Sequence, residues 1–211
     1  MPGVPVAVYA TAAVVGQATA TTEFLADLSG PVNVLDIGAG TGSFSRALQR
    51  ACDHPKNRFY WIDINAERME ASRNALWFAG AIETIVADLR QEIDFPDIPG
   101  REIDVVLAGL LRPYLPPGAY ARTLSALITE KLKSSGLAVL VEMAASSFSN
   151  SQVRRELSDQ EVLSDMSRAL SATGMLDVGA PIRLEVPIRV EETGARYEGV
   201  LLLDCKRRQA G

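Results

Sequence analysis

The chain has 211 residues, 47% hydrophobic and 22% charged, with a net charge of −5. That length implies a single domain with room for a substantial core, and the composition excludes a disordered chain. The acidic balance argues against a broad basic surface for nucleic acid, and the two cysteines, Cys52 and Cys205, have neither metal-ligand spacing nor the density of a disulfide scaffold.

Residues 1–30 precede the first strand. Ala10 to Leu28 has helix character with Phe24, Leu25 and Leu28 as its apolar contacts, so this part reads as an N-terminal helical segment or lid ahead of a core over 31–211. Met1 to Ala20 has no basic stretch before its apolar residues, and Gly16 and Gln17 interrupt them, unlike a secretion signal. No apolar run is long enough to span a bilayer; a soluble, cytoplasmic protein with no membrane partner is expected.

Val32 to Ile37 reads as the first strand, and it runs straight into Gly38-Ala39-Gly40-Thr41-Gly42. Glycines at alternate positions let the chain reverse sharply and let a ligand lie on bare backbone, and Thr41 or Ser43 is placed to cap the helix Ser43 to Ala51. A dinucleotide fingerprint requires Gly-x-Gly-x-x-Gly; Ser43 stands where its last glycine belongs.

Strands and helices then alternate, the pattern of a parallel sheet between helices. Arg58 to Ile64 is the second strand, Ala66 to Ala79 a helix and Ile82 to Ala87 the third strand. Asp88 to Arg101, with two prolines and four acids, reads mostly as loop before the fourth strand, Ile103 to Ala108. Past Pro116-Pro117-Gly118, Tyr120, Leu124, Leu127 and Ile128 share a helical face; Leu137 to Val141 is the fifth strand. Ser158 to Glu161 fits a capping box for a helix that Gly174 stops, with Val162, Leu163, Met166, Ala169 and Leu170 inward. Ile182 to Val190 alternates apolar and polar residues and contains Pro187, so it belongs at an edge, whereas Val200 to Leu203 reads as a strand covered on both faces.

The glycine loop after Val34-Leu35-Asp36-Ile37, together with an edge strand that turns back into an interior one, resembles the class I S-adenosylmethionine-dependent methyltransferases over residues 32 to 205. The resemblance implies an α/β fold: a three-layer, Rossmann-like sheet of seven strands, mostly parallel with an antiparallel last strand, flanked by helices. It implies S-adenosyl-L-methionine as cofactor, lying along Gly38, Ala39, Gly40 and Gly42. Asp63 would accept the ribose hydroxyls with Ile64 against the adenine face, and the adenine amino group would meet Asp88, with the Leu89 N–H beside it. The competing role for Asp63 is to cap the following helix. Asp36 would order the glycine loop, and the methyl donor would sit above Gly38 and Ala108.

The acceptor is less sharply written. Ala108-Gly109-Leu110-Leu111-Arg112-Pro113-Tyr114 departs from the Asn/Asp-Pro-Pro-Tyr/Phe of amino-methyltransferases, and Gly109-Leu110-Leu111 offers no metal ligands, so no metal is expected. The single histidine, His54, lies before the second strand, at the opposite edge from the cofactor. Arg112 and Tyr114 after the fourth strand and Glu142 after the fifth remain as candidate catalytic residues, with Ser146, Ser147, Phe148 and Asn150 in the loop from Met143 to Leu157. The expected activity is methyl transfer to an oxygen or nitrogen of a small-molecule acceptor. An RNA methyltransferase and a non-catalytic cofactor-binding subunit are the alternatives, and nothing in the sequence sets an oligomeric state.

Overall fold

Every residue of β4 (Ile103–Gly109) is buried, as are the last four of β1 (Asn33–Ile37). Continuous Val/Leu/Ile runs of this kind belong to parallel strands with helices on both faces. In the computed structural model, the described residues are 30–51, 54–75, 80–91, 95, 97–116, 119–143, 146–147, 159–171, 176–189 and 196–207. The expected N-terminal helix or lid lies outside them, as do residues 144–145 and 148–157 of the expected acceptor loop, with Phe148 and Asn150.

β1 and β4 form the centre of the sheet. β2 (Arg58–Asp63) pairs in parallel with the other edge of β1, β3 (Ala81–Val86) with β2, and β5 (Leu132–Met143) with β4. β9 (Arg196–Arg207) then runs antiparallel to β5. Its central place matches the unbroken apolar run Val200 to Leu203. The helices are α1 (Ser43–Ala51), α2 (Ala66–Ala75), α3 (Ala119–Lys131) and α4 (Asp159–Ser171).

The expected count of seven strands is corrected. Five parallel strands are followed by antiparallel β9, and three further segments pair with it: β6 (Ser146–Ser147), β7 (Leu176–Val178) and β8 (Ile182–Arg189). β6 keeps the register of β5, since Met143 faces Val200 and Ser146 faces Tyr197, and β8 shifts register between Glu185 and Ile188, around Pro187. A residue that cannot donate to a ladder explains that shift.

β5 also begins earlier than the apolar pattern indicates. Leu132 already pairs with Ile103, before a register shift, so Leu132-Lys133-Ser134-Ser135-Gly136 is strand entry rather than loop. The polar residues there hid it.

The described residues between β3 and β4 form no helix or strand, yet Phe95 and Ile98 are buried in the core. Lys131, at the end of α3 and 3% exposed, holds this crossover in place. Its ammonium donates to Phe95 O at 3.0 Å, Ile98 O at 3.2 Å and Glu130 Oε1 at 2.6 Å. Lys131→Met would keep the volume and take the ammonium from the Ile98 carbonyl, at about 1–3 kcal/mol, while Phe95 O keeps the Ile98 N–H. A loss of about 1–3 kcal/mol in urea unfolding is the expected result; an unchanged midpoint would show that the crossover holds without the ammonium.

His54 sits in the turn before β2, where its Nδ1 accepts the Lys56 N–H at 3.1 Å. No helix among the described residues is long and apolar enough to cross a membrane.

Candidate cofactor and acceptor site

The carboxyl ends of the parallel strands carry the site, as the rule for open α/β sheets requires. The Ile62 carbonyl at the end of β2 accepts both the Gly38 and Ala39 N–H groups, at 2.8 and 3.0 Å, so the glycine loop folds over β2. Gly38, Gly40 and Gly42 all have positive φ, at 71°, 54° and 64°. Two of them are also places of close approach. A Cβ on Gly42 would lie 2.2 Å from the Trp61 ring, and one on Gly38 would lie 2.2 Å from Leu111 Cδ2.

Beneath the loop, Asp36 is fully buried. Ser45 at the start of α1 donates its hydroxyl to Asp36 Oδ2 at 2.5 Å and its N–H at 3.3 Å, while Trp61 Nε1 donates to Ser45 Oγ at 2.9 Å. This relay ties β1, α1 and β2 together under the glycines, as the ordering role for Asp36 requires. Burial pushes the Asp36 carboxyl up to about 6 against the two Ser45 hydrogen bonds, which lower it. A folded value above the unfolded one means that the native state holds this proton more tightly. The stabilisation is therefore complete below about pH 4 and is lost as pH rises through about 6, amounting to about 3 kcal/mol. Asp36→Asn should escape that loss, so its stability relative to the parent should rise from pH 4 to pH 7 in urea titrations. A constant difference across that range would mean that Asp36 titrates as an ordinary carboxylate.

Asp63, ending β2, serves the loop and the helix together. Its Oδ2 accepts the Gly40 N–H at 2.9 Å and its Oδ1 the Asn65 N–H at 2.9 Å. The helix cap itself falls to Asn65, whose Oδ1 accepts the Arg68 N–H at 2.8 Å. Each Asp63 oxygen keeps a lone pair for a further donor, which suits a ribose diol. Ile64 is 58% exposed and Val86, register partner of Asp63, is 60% exposed. Two large apolar side chains held in water at one edge suit the face of a flat heteroaromatic ring. Val86 was hidden in the sequence inside an ordinary strand pattern.

Asp88 follows β3 and is already engaged. The Arg90 guanidinium binds both its oxygens, and these side-chain hydrogen bonds hold its carboxyl down at about 2. Leu89 beside it is buried, and its carbonyl accepts the Thr123 hydroxyl at 3.2 Å. Ala108 is buried at the end of β4 and is register partner to Ile37, which brings Gly109 next to Gly38.

The loop after β4 collects the other candidates. Leu110 has φ of 59°, and its N–H donates to Val141 O at 2.8 Å. The Leu111 and Arg112 N–H groups both donate to Glu142 Oε1, at 2.9 and 3.2 Å. Arg112 opens a 3-10 turn (Arg112–Tyr114), and its guanidinium grips Asp165 of α4, with Nε at 2.7 Å and Nη2 at 2.6 Å from Oδ2; Arg168 binds the other oxygen. Tyr114 is 71% exposed. Glu142 is 1% exposed, and burial pushes its carboxyl up to about 7. Glu142 Oε2 and Tyr120 Oη are both buried without a hydrogen-bond partner among the described residues. Burial, then the negative charge of Glu142, raises the Tyr120 hydroxyl well above its ordinary value.

The structure thus gathers Asp36, the three glycines, Asp63 and Ile64 around one loop, and sets Arg112, Tyr114 and Glu142 around another that touches it through Leu111. The sequence reading missed Ser45, Arg90, Leu111 and Asp165. A charged Glu142 ending the apolar run Leu137 to Val141 was the available signal for the second cluster.

A family model described as a methyltransferase domain matches residues 34–136. Among solved structures, a S-adenosylmethionine-dependent methyltransferase from Methanosarcina mazei is similar at 16% identity, covering 89% of this chain and 98% of its own, with a TM-score of 0.62. A putative methyltransferase from Bacillus halodurans is similar at 14% identity, covering 90% and 98%, with a TM-score of 0.62. A precorrin-6y C5,15-methyltransferase from Geobacter metallireducens is similar at 19% identity, covering 89% and 86%, with a TM-score of 0.57. No curated protein matches the chain. Residues 34–136 thus match a methyltransferase domain, and the chain shares the fold of S-adenosylmethionine-dependent methyltransferases, whose cofactor is S-adenosylmethionine. The side-chain-free glycine loop and the spare acceptor capacity of Asp63 fit that cofactor.

Proposed function

We propose that the protein methylates an oxygen or nitrogen of a small molecule, bound where the loop after β4 faces the glycine loop. The supporting observation is how the cations at this edge are used. Two guanidiniums beside the clusters, Arg112 and Arg90, are each bound to a carboxylate, Asp165 and Asp88, which leaves Arg68 beside Gly40. Neutralised cations do not make the basic groove that an RNA backbone requires. Exposed Tyr114 instead offers an aromatic surface for a small acceptor. The precorrin C5,15-methyltransferase among the similar structures is named for a small molecule methylated at carbon, which supports the size class of the acceptor and not the methylated atom.

When bound, the sulfonium cofactor supplies an activated methyl group with a neutral leaving group. Little is then required of the protein beyond placement, and alignment of the acceptor in line with the methyl is worth up to ~7–11 kcal/mol in well-oriented systems. In this reading Tyr114 meets the acceptor, whereas Arg112 and Glu142 hold the loop that carries it. Asp63 and the glycines hold ribose and methionine, and Ile64 and Asp88 address the adenine.

Tyr114→Ala should lower turnover while leaving affinity for S-adenosylhomocysteine within about threefold of the parent, because its side chain stands apart from the cofactor loop. The acceptor class is tested by following methyl label from the cofactor into cell extract with and without ribonuclease. Label retained in small molecules supports the proposal. Label found only in RNA, and lost after ribonuclease, rejects it.

A further inference from the structure

The loop after β4 is held in a strained shape from beneath. The left-handed backbone of Leu110 is strained for a residue with a side chain, and such strain persists only where neighbours impose it. Here the neighbours are consecutive: Leu110 N–H to Val141 O, then Leu111 and Arg112 N–H to the single oxygen Glu142 Oε1. A carboxylate that accepts backbone N–H groups in a dry site makes stronger bonds than a neutral acceptor would.

The grip has a consequence one strand away. It seats the Leu111 side chain on Gly38, so closely that a Cβ there would lie 2.2 Å from Leu111 Cδ2. A chain of contacts therefore runs from Glu142 on β5, through Leu111 after β4, to the first glycine after β1. The groups facing Glu142 are Tyr120 from α3 and Arg112, itself bound to Asp165 of α4. Opposite it, Leu201 of β9 is uncharged. Glu142 is 1% exposed, so it cannot touch an acceptor directly. An apolar residue would fill its place without the desolvation cost.

We infer that Glu142 is a positioning residue: through Leu111 its carboxylate fixes the glycine loop, and so sets affinity for the methionine end of the cofactor. The inference rests on the methyltransferase reading and adds a specificity-setting residue to it.

The experiment compares two probes by calorimetry, S-adenosylhomocysteine, which has the methionine end, and methylthioadenosine, which lacks it. Glu142→Leu should weaken S-adenosylhomocysteine about tenfold or more, the equivalent of one or two lost polar contacts, and methylthioadenosine less than about threefold. Glu142→Gln keeps an acceptor oxygen for the two N–H groups and should recover most of the affinity. In a Leu111→Ala background, Glu142→Leu should have little further effect. Equal loss of both probes, or parent affinity for both in folded Glu142→Leu, overturns the inference. Should Glu142→Leu not fold, Leu111→Ala carries the test, since it must weaken S-adenosylhomocysteine and spare methylthioadenosine. A parent protein that binds neither probe would overturn the cofactor assignment itself, whereas a binding parent with indifferent variants overturns only the role of Glu142.

Discussion

Gly42→Ala is expected to destabilise the protein by about 2–5 kcal/mol, more than either neighbouring glycine. The left-handed backbone, at φ 64°, accounts for about 1–2 kcal/mol of this. The remainder is steric. The new methyl would lie 2.2 Å from the ring of Trp61, which is fully buried and anchored through Nε1 to Ser45, so overpacking adds about 1–3 kcal/mol. Moving the indole would also pull on Ser45 and on the Asp36 carboxylate beneath it. Gly38→Ala meets only the tip of Leu111, which turns more easily, and Gly40→Ala finds nothing nearer than the Arg68 guanidinium at 3.8 Å. Urea unfolding should therefore rank the losses Gly42, Gly38, Gly40. A Gly42→Ala protein as stable as Gly40→Ala would contradict this packing.

Asp63→Ala should produce the largest loss of cofactor affinity, roughly 100-fold or more for S-adenosylhomocysteine. Two hydrogen bonds from ribose to a charged acceptor are worth about 1.5–3 kcal/mol each before relaxation. The same substitution also frees the Gly40 N–H and so loosens the loop along the methionine part. Asp88→Ala should cost less than about tenfold, because the Asp88 carboxylate is shared with Arg90 and stands in water, where charge pairs contribute little. Asp63→Asn retains one acceptor for Gly40 without the charge and should fall between. Thermal unfolding without ligand checks that all three variants fold, and an Asp63→Ala protein with parent affinity would remove Asp63 from the site.

The parts of this site that were legible in the sequence are those built from neighbouring residues. Glycines at alternate positions after an apolar strand need a left-handed, ligand-facing turn whatever surrounds them, and all three have it. The mostly apolar stretches in β1, β4 and β9 indicated central strands because burial on two faces disfavours polar residues, with Asp36 and Asp104 as the buried exceptions. What stayed hidden depends on partners far along the chain. Glu142 meets Leu111 across 31 residues and Arg112 meets Asp165 across 53, and no local spacing records either pairing. Arg112 and Glu142 were recognised as candidates, but their roles as loop anchors needed the folded arrangement. The seven-strand expectation missed the register shift of β8 around Pro187 and the short segments β6 and β7 that also pair with β9.

The account turns on the glycine loop and Asp63 forming a cradle for S-adenosylmethionine rather than for a dinucleotide. Calorimetric titration of the purified protein with S-adenosylhomocysteine, and in parallel with NAD, tests it directly. Saturable, one-to-one binding of S-adenosylhomocysteine, weakened by Asp63→Ala and absent with NAD, is the expected result; tight NAD binding with no response to S-adenosylhomocysteine would contradict the account.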